Sequence, residues 1–251
     1  ASDPVASNPV ASNGDGVDVP ILNKDMTLCI SLSGRPSNIG TRFHNYLYDE
    51  LGLNFIYKAF GTDDIEGAIR GVRALGIRGT SVSMPFKEAV IPLVDELEES
   101  ASAIESVNTI VNDDGRLVAS NTDYEAVAQL IAEHSLDPSV PVVVRGSGGM
   151  AKAVVAAFRG AGFDTLTVLA RNQEAGSELA AKYGYEHTVA EPAPADVILV
   201  NVTPIGMAGA DEAALSFSAE QIAAARAAFD VVAFPAETPF IIAARLSLIH
   251  I

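Results

Sequence analysis

The chain has 251 residues, 49% of them apolar, and sets 32 Asp and Glu against 16 Lys and Arg for a formal charge of −16. That length allows one large or two ordinary domains with buried cores, and that charge excludes nucleic acid and anionic membranes as partners, because either needs a basic face. No run reaches the ~20 apolar residues of a membrane span and no basic-then-apolar order marks a secretory signal, while the single cysteine, Cys29, rules out an internal disulfide and points to a reducing, cytoplasmic setting.

Residues 1–22 repeat Pro-Val-Ala-Ser-Asn at 4–8 and 9–13 and then read Gly-Asp-Gly. A stretch with so little to bury is expected to be a disordered leader. From Met26 the chain alternates short apolar runs with helical periods. Strands are expected at 26–32, 55–60, 77–84 and 107–111, bounded by Gly, Asn and Asp. Helices are expected at 42–51, with apolar positions 43, 47 and 51, and at 64–75, with apolar positions 65, 68, 69, 72 and 75. Lys87, one of five lysines, follows the proline-turned strand end Ser83-Met84-Pro85-Phe86 and opens an expected helix over 88–97. A lysine placed behind an apolar strand end suggests chemistry; the plainer reading is an ammonium held in water at a helix start.

Asn121-Thr122-Asp123 leads into a helix expected over 124–133, and 135–139 reads as a linker. Asp123 there suits a helix N-cap as well as a site carboxylate. A second alternation follows: strand 142–144, helix 149–160, strand 166–169, helix 174–183, strand 197–200, helix 219–227 and strand 230–233. Such repeated crossovers imply a parallel, doubly wound sheet. The fold class expected is therefore α/β with two domains, the first with a mixed sheet and the second a Rossmann domain.

Arg145-Gly146-Ser147-Gly148-Gly149-Met150-Ala151 sets a Gly-x-Gly-x-x-Ala pattern between a strand and a helix, the context a dinucleotide fingerprint requires. Gly146 would permit the turn, Gly148 would let a pyrophosphate approach, and Ala151 would let the helix pack closely. Roughly 20 residues on, where NAD-binding domains carry a carboxylate, the chain reads Leu169-Ala170-Arg171-Asn172. A cation at that point favours the 2′-phosphate of NADP, although Arg171 could also be an ordinary exposed strand-end arginine. The four histidines, His44, His134, His187 and His250, are scattered without metal-ligand spacing, so no metal site is indicated.

Taken together, Ser83-Met84-Pro85-Phe86-Lys87, Ser106-Val107-Asn108-Thr109 and Asn121-Thr122-Asp123, with the nucleotide fold downstream, resemble the shikimate dehydrogenase family. The loop Ser31-Leu32-Ser33-Gly34-Arg35-Pro36-Ser37-Asn38 brings the chain closest to the divergent shikimate dehydrogenase-like subclass. The resemblance implies NADP-dependent, reversible reduction of 3-dehydroshikimate to shikimate, with Lys87 and Asp123 as the acid–base pair. It implies substrate contacts from Ser83, Asn108 and Asp123, and from Ser37 and Thr41 in the loop 31–41. Cofactor contacts would come from Gly146, Ser147, Gly148, Gly149, Met150, Ala151, Arg171 and Asn172, and on the nicotinamide side from Asn201, Thr203, Gly206 and Met207. A cationic lysine suits this chemistry, since it can both stabilise a developing alkoxide and protonate it. On this basis residues 23–122 form the substrate-binding and catalytic domain, 123–139 a connecting helix and linker, and 140–237 the NADP-binding domain. Residues 238–251 would begin a helix returning to the first domain, cut short. The expected partner is a small-molecule substrate, with the protein a monomer or homodimer. Two departures stand out: Ala233-Phe234 where the family carries a tyrosine, and Ala175 where it carries a second cofactor-loop arginine. They leave open a quinate/shikimate dehydrogenase, or a weakly active paralogue that binds shikimate or NADPH.

Overall fold

The computed structural model describes residues 10–13, 17–20, 22–192 and 195–247. The chain divides into two compact units, Ala1–Thr122 and Asp123–Ile251.

In the first unit, β1 (Val10–Asn13) and β2 (Val17–Pro20) pair antiparallel from Val10 opposite Pro20 to Asn13 opposite Val17. This differs from the leader expected to lack order throughout. Backbone ladder bonds need no apolar partner, and the valines of both segments suit extended backbone. Of the segment 238–251 expected to begin a helix, residues 248–251 lie outside the described residues.

The main sheet of this unit is built from β3 (Thr27–Ser33), β4 (Phe55–Gly61), β5 (Gly79–Val82), β6 (Glu96–Leu97), β7 (Thr109–Asp113) and β8 (Arg116–Ser120), in the order β4-β3-β5-β7-β8-β6. β3 runs parallel to β4 and β5, whereas β5, β7 and β8 alternate in direction, so the sheet is mixed. The helices are α1 (Asn38–Glu50), α2 (Ile65–Ala74) and the short α3 (Glu99–Ile104). α2 starts where the Asp64 carboxylate accepts the Gly67 N–H at 2.7 Å, and it buries Ile69 and Val72. Those side chains meet Ile30, Leu32, Ile77, Val82, Phe86, Val90, Ile110 and Leu117 in one core. α1 differs in burying no residue fully. It is pinned by Asn45, whose amide donates to Tyr57 O at 2.8 Å and accepts from Tyr57 N at 2.9 Å, and by His44 stacked on Tyr57 at 4.3 Å.

The helix expected over 88–97 does not form. Turns lead to a 3-10 segment at Ile91–Leu93 and then to β6. Pro92 is the reason: in an α-helix it would lack a donor and clash with the carbonyl of Glu88.

The second unit contains α4 (Thr122–Glu133), which starts on the last residue of the first unit, then β9 (Val142–Arg145), α5 (Gly149–Gly160), β10 (Leu166–Leu169), α6 (Gln173–Tyr183), β11 (Glu186–Thr188), β12 (Ile198–Asn201), α7 (Ala219–Ala223), β13 (Ala227–Asp230) and α8 (Pro239–Leu246). The strand order is β11-β10-β9-β12-β13 and every pair is parallel, the doubly wound sheet of a Rossmann domain. Val142, Val143 and Val144 are buried, as expected of a strand covered on both faces. Phe158 and Phe163, both fully buried, meet edge to face at 4.9 Å between α5 and β10. The expected helix 219–227 ends at Ala223, and the strand after it begins at Ala227 rather than 230. Helix-favouring alanines at 227 and 228 are taken into the sheet, where they pair with Ile198 and Leu199 of β12. Among the described residues, no helix is long and apolar enough to cross a membrane.

Candidate active site

Three predicted residues of the first unit, Ser83, Lys87 and Asn108, gather at one end of its mixed sheet. Ser83 leaves β5 with its N–H on Leu32 O at 2.9 Å, and Gly34 N–H reaches Met84 O at 3.1 Å, so the loops after β3 and β5 lie side by side. Val82 N–H reaches Asn108 O at 2.8 Å and Val107 N–H reaches Lys87 O at 2.8 Å. Lys87 is thus fixed by its backbone, between buried Phe86 and the turn ending at fully buried Val90, with a half-buried side chain. Met84–Pro85 is a cis peptide.

Asn108 is held by Thr122. Its side-chain oxygen accepts the Thr122 N–H at 3.0 Å and its amide donates to Thr122 Oγ1 at 3.0 Å, while Thr109 Oγ1 donates to the same oxygen at 2.9 Å. The amide therefore caps the first residue of α4 from the segment just before β7. Sequence reasoning overlooked Thr122; its place beside Asp123, at a helix start, was the available signal. Asp123 lies in the first turn of α4, so it is inside the helix rather than its N-cap. Ser37 precedes α1 as its N-cap residue without making a side-chain cap, and Thr41 is one turn into α1, where its carbonyl accepts Asn45 Nδ2 at 2.7 Å.

In the second unit the glycine-rich turn joins β9 to α5. Gly146 has φ +124°, and a Cβ there would lie 2.8 Å from Val202 Cγ2, so the turn itself demands glycine. Gly148 and Gly149 are different: a Cβ on either would meet nothing within 4 Å. No side chain caps the N-terminus of α5, whose first residues are Gly149, Met150 and fully buried Ala151. Uncapped helix N–H groups and space left free beside Gly148 fit the pyrophosphate of a dinucleotide. Ser147 lies in the same turn. Arg171 is exposed just past β10, and Asn172 caps α6 by accepting the Ala175 N–H at 3.1 Å.

Asn201, fully buried at the end of β12, spends its amide inside the protein. Nδ2 donates to Asp230 Oδ1 at 3.0 Å and Ile205 O at 3.1 Å, and Oδ1 accepts Thr203 Oγ1 at 2.6 Å. Asp230 Oδ1 also takes the Val232 N–H at 3.1 Å, and its Oδ2 takes the Thr238 hydroxyl at 2.7 Å. Desolvation raises the Asp230 carboxyl above its ordinary pKa, against the lowering effect of these donors, Thr238 first. Asn201 and Thr203 therefore shape the loop carrying Gly206 (φ +89°) and half-exposed Met207. Ala233 and Phe234, after the end of β13, are both exposed. Among the described residues, no group of three His, Cys, Asp or Glu could hold a metal ion.

A parallel sheet with a glycine turn opening onto an uncapped helix, following an α/β unit that gathers Ser83, Lys87 and Asn108, defines a two-domain nucleotide-binding α/β protein. The family model for the shikimate dehydrogenase substrate-binding domain matches residues 37–110. A shikimate dehydrogenase-like protein of Haemophilus influenzae is 62% identical over 88% of this chain and 82% of its own length. Shikimate dehydrogenase (NADP(+)) of Streptococcus uberis is 33% identical over 84% of this chain and 80% of its own. Among solved structures, a shikimate 5-dehydrogenase-like protein matches at 60% identity and TM-score 0.86, covering 90% of this chain and 85% of that one. The Thermus thermophilus shikimate 5-dehydrogenase in complex with NADP(H) and shikimate matches at 29% and 0.73, covering 88% and 85%. The chain belongs to the shikimate dehydrogenase family.

Proposed function

We propose that this protein is an NADP-dependent oxidoreductase interconverting 3-dehydroshikimate and shikimate. The observation that carries the reading is the free space beside Gly148 at an uncapped helix start, in a chain whose other unit gathers Ser83, Lys87 and Asn108 at one sheet end. NADPH, when bound, supplies the hydride. Lys87 donates a proton to the carbonyl oxygen as it becomes an alkoxide and, in the reverse direction, receives the hydroxyl proton. Asp123 serves as the carboxylate partner of that lysine, and Ser83, Asn108, Ser37 and Thr41 bind the substrate's hydroxyl and carboxylate groups. Gly146–Ala151, Arg171 and the loop containing Gly206 and Met207 hold the cofactor, with Asn201 and Thr203 acting through that loop's shape.

Lys87→Ala should lower turnover of shikimate with NADP by about 10²–10⁴-fold while leaving NADP binding in place. Activity surviving within about tenfold would overturn the assignment. The same assay with quinate separates the two polyol acids. Ala233 and Ala175, and a relative named only as dehydrogenase-like, favour a second reading as a weakly active binding paralogue. Calorimetric binding of shikimate and NADPH without hydride transfer would select it.

A further inference from the structure

The side chains proposed to bind the substrate's hydroxyl and carboxylate groups, Ser37, Thr41, Ser83 and Asn108, are all neutral, and the charge of Lys87 is committed to the reacting oxygen and to Asp123. The carboxylate of the acid is left without a countercharge. Eight of the chain's eleven arginines are ion-paired. Among the described residues Arg35, Arg42 and Arg171 have no such pair, and Arg171 is the one proposed to hold the cofactor. Arg35 is exposed and stands two residues before Ser37. The loop that carries it is fixed on both sides: Ser33 O accepts the Thr62 N–H at 3.2 Å, and Gly34 N–H reaches Met84 O at 3.1 Å. A Cβ on Gly34 would lie 3.2 Å from Pro85 Cδ, and one on Gly61 would lie 3.3 Å from Pro36 Cδ, so the residues either side of Arg35 are both packed. β3 and β5 run parallel, so this loop and the Ser83–Lys87 turn leave the same end of the sheet.

The structure assigns Arg35 as the specificity-determining residue that pairs with the substrate's carboxylate, an assignment that rests on reading this end of the first unit as the shikimate site. The distribution of charge supports it. In a chain of formal charge −16, no Asp or Glu occurs between Asp25 and Asp49, between Glu66 and Glu88, or between Glu105 and Asp113, the segments whose loops meet at this end of the sheet. A stretch of surface without carboxylates, in an otherwise acidic protein, directs an anion to its few cations. The guanidinium fork matches the two oxygens of a carboxylate, and with no ion pair to give up, Arg35 can take one without breaking another bond. The class of substrate selected is an acid: a neutral ester of the same ring would lose the ion pair and keep its hydroxyl contacts.

Shikimate and its neutral methyl ester, titrated calorimetrically into the full chain and then assayed with NADP at constant ionic strength, test the assignment. The wild type should bind the acid at least ~10-fold more tightly than the ester, and Arg35→Gln should remove that preference by weakening the acid alone. The loss should appear in KM, with kcat held within about threefold and NADP affinity unchanged. Arg35→Lys should recover part of it, since it restores the charge without the fork. Acid binding that depends on Arg35 without any hydride transfer would refute the dehydrogenase reading and uphold this assignment. Turnover with the acid's affinity unchanged in Arg35→Gln would do the reverse. Equal losses for acid and ester, an equal effect from Arg42→Gln, or no binding of shikimate by the wild type would each overturn the role of Arg35.

Discussion

Replacing Asp230 with Ala tests whether the carboxylate at the end of β13 holds the two loops beside it. The change removes three donors' acceptor at once: Asn201 Nδ2, the Val232 N–H and the Thr238 hydroxyl. Asn201 keeps Ile205 O at 3.1 Å, so its amide is not orphaned, whereas Val232 N–H and the fully buried Thr238 hydroxyl are. Hydrogen bonds to a charged acceptor contribute about 1.5–3 kcal/mol each, and loss of the carboxylate also removes its desolvation cost, leaving a net destabilisation of ~2–4 kcal/mol. At ~2–4 °C per kcal/mol for a chain of this size, the melting temperature should fall by ~4–16 °C. Asp230→Asn keeps one oxygen and should cost ~1 kcal/mol. The carboxyl pKa is raised in the folded protein, so the native state holds this proton more tightly than the unfolded chain. Stability relative to Asp230→Asn should therefore rise as pH falls from above the raised value toward the ordinary ~3.9. Urea denaturation across that pH range measures both effects. The network has no such role if the Ala variant loses less than ~0.5 kcal/mol, or if Asn costs as much as Ala.

The glycine turn yields a paired test. Gly146→Ala must adopt φ +124° and displace Val202, whose N–H is tied to Arg145 O at 3.0 Å, so stability should drop by ~2 kcal/mol or more. Gly148→Ala meets nothing, so its thermal stability should stay near wild type while NADP affinity falls at least ~10-fold; unchanged affinity would remove the turn from the coenzyme site. Asp95 provides the opposite pH sign to Asp230: Arg73, bonded at 2.6 Å, and the Leu117 N–H hold its carboxyl below the ordinary value. Its stabilisation is present above ~3.9 and lost as pH falls through the lowered value, and a carboxyl NMR titration should find the midpoint raised in Arg73→Gln.

The parts most legible in the sequence were those with a strong local signature. Gly146 to Ala151 announced the turn and the strand and helix flanking it, and the spacing of Ile65, Ile69 and Val72 announced α2. Where tertiary pairing decided, the sequence misled: Ala227 and Ala228 favour helix in isolation but enter the sheet through β12. Pro92 was a legible helix stop that the apolar spacing around it obscured. Asp114-Gly115, both with positive φ between β7 and β8, is a strong hairpin signal that would have revealed β8. At the site, residue types could nominate Asn108 but not its bonds to Thr122, which join positions fourteen apart through backbone geometry.

α1, with no fully buried residue, has a consequence for how the first unit moves. A helix secured by the Asn45 clamp, one stacked imidazole and the Tyr48–Phe55 ring contact, with no fully buried side chain, can detach while the sheet behind it stays intact, so its amides should exchange with solvent through local opening rather than global unfolding. Ser37 and Thr41 travel with it. The groups proposed to receive the substrate's carboxylate thus belong to a segment of low local stability, and a ligand that engages them would be read most directly as slower hydrogen exchange along 38–50.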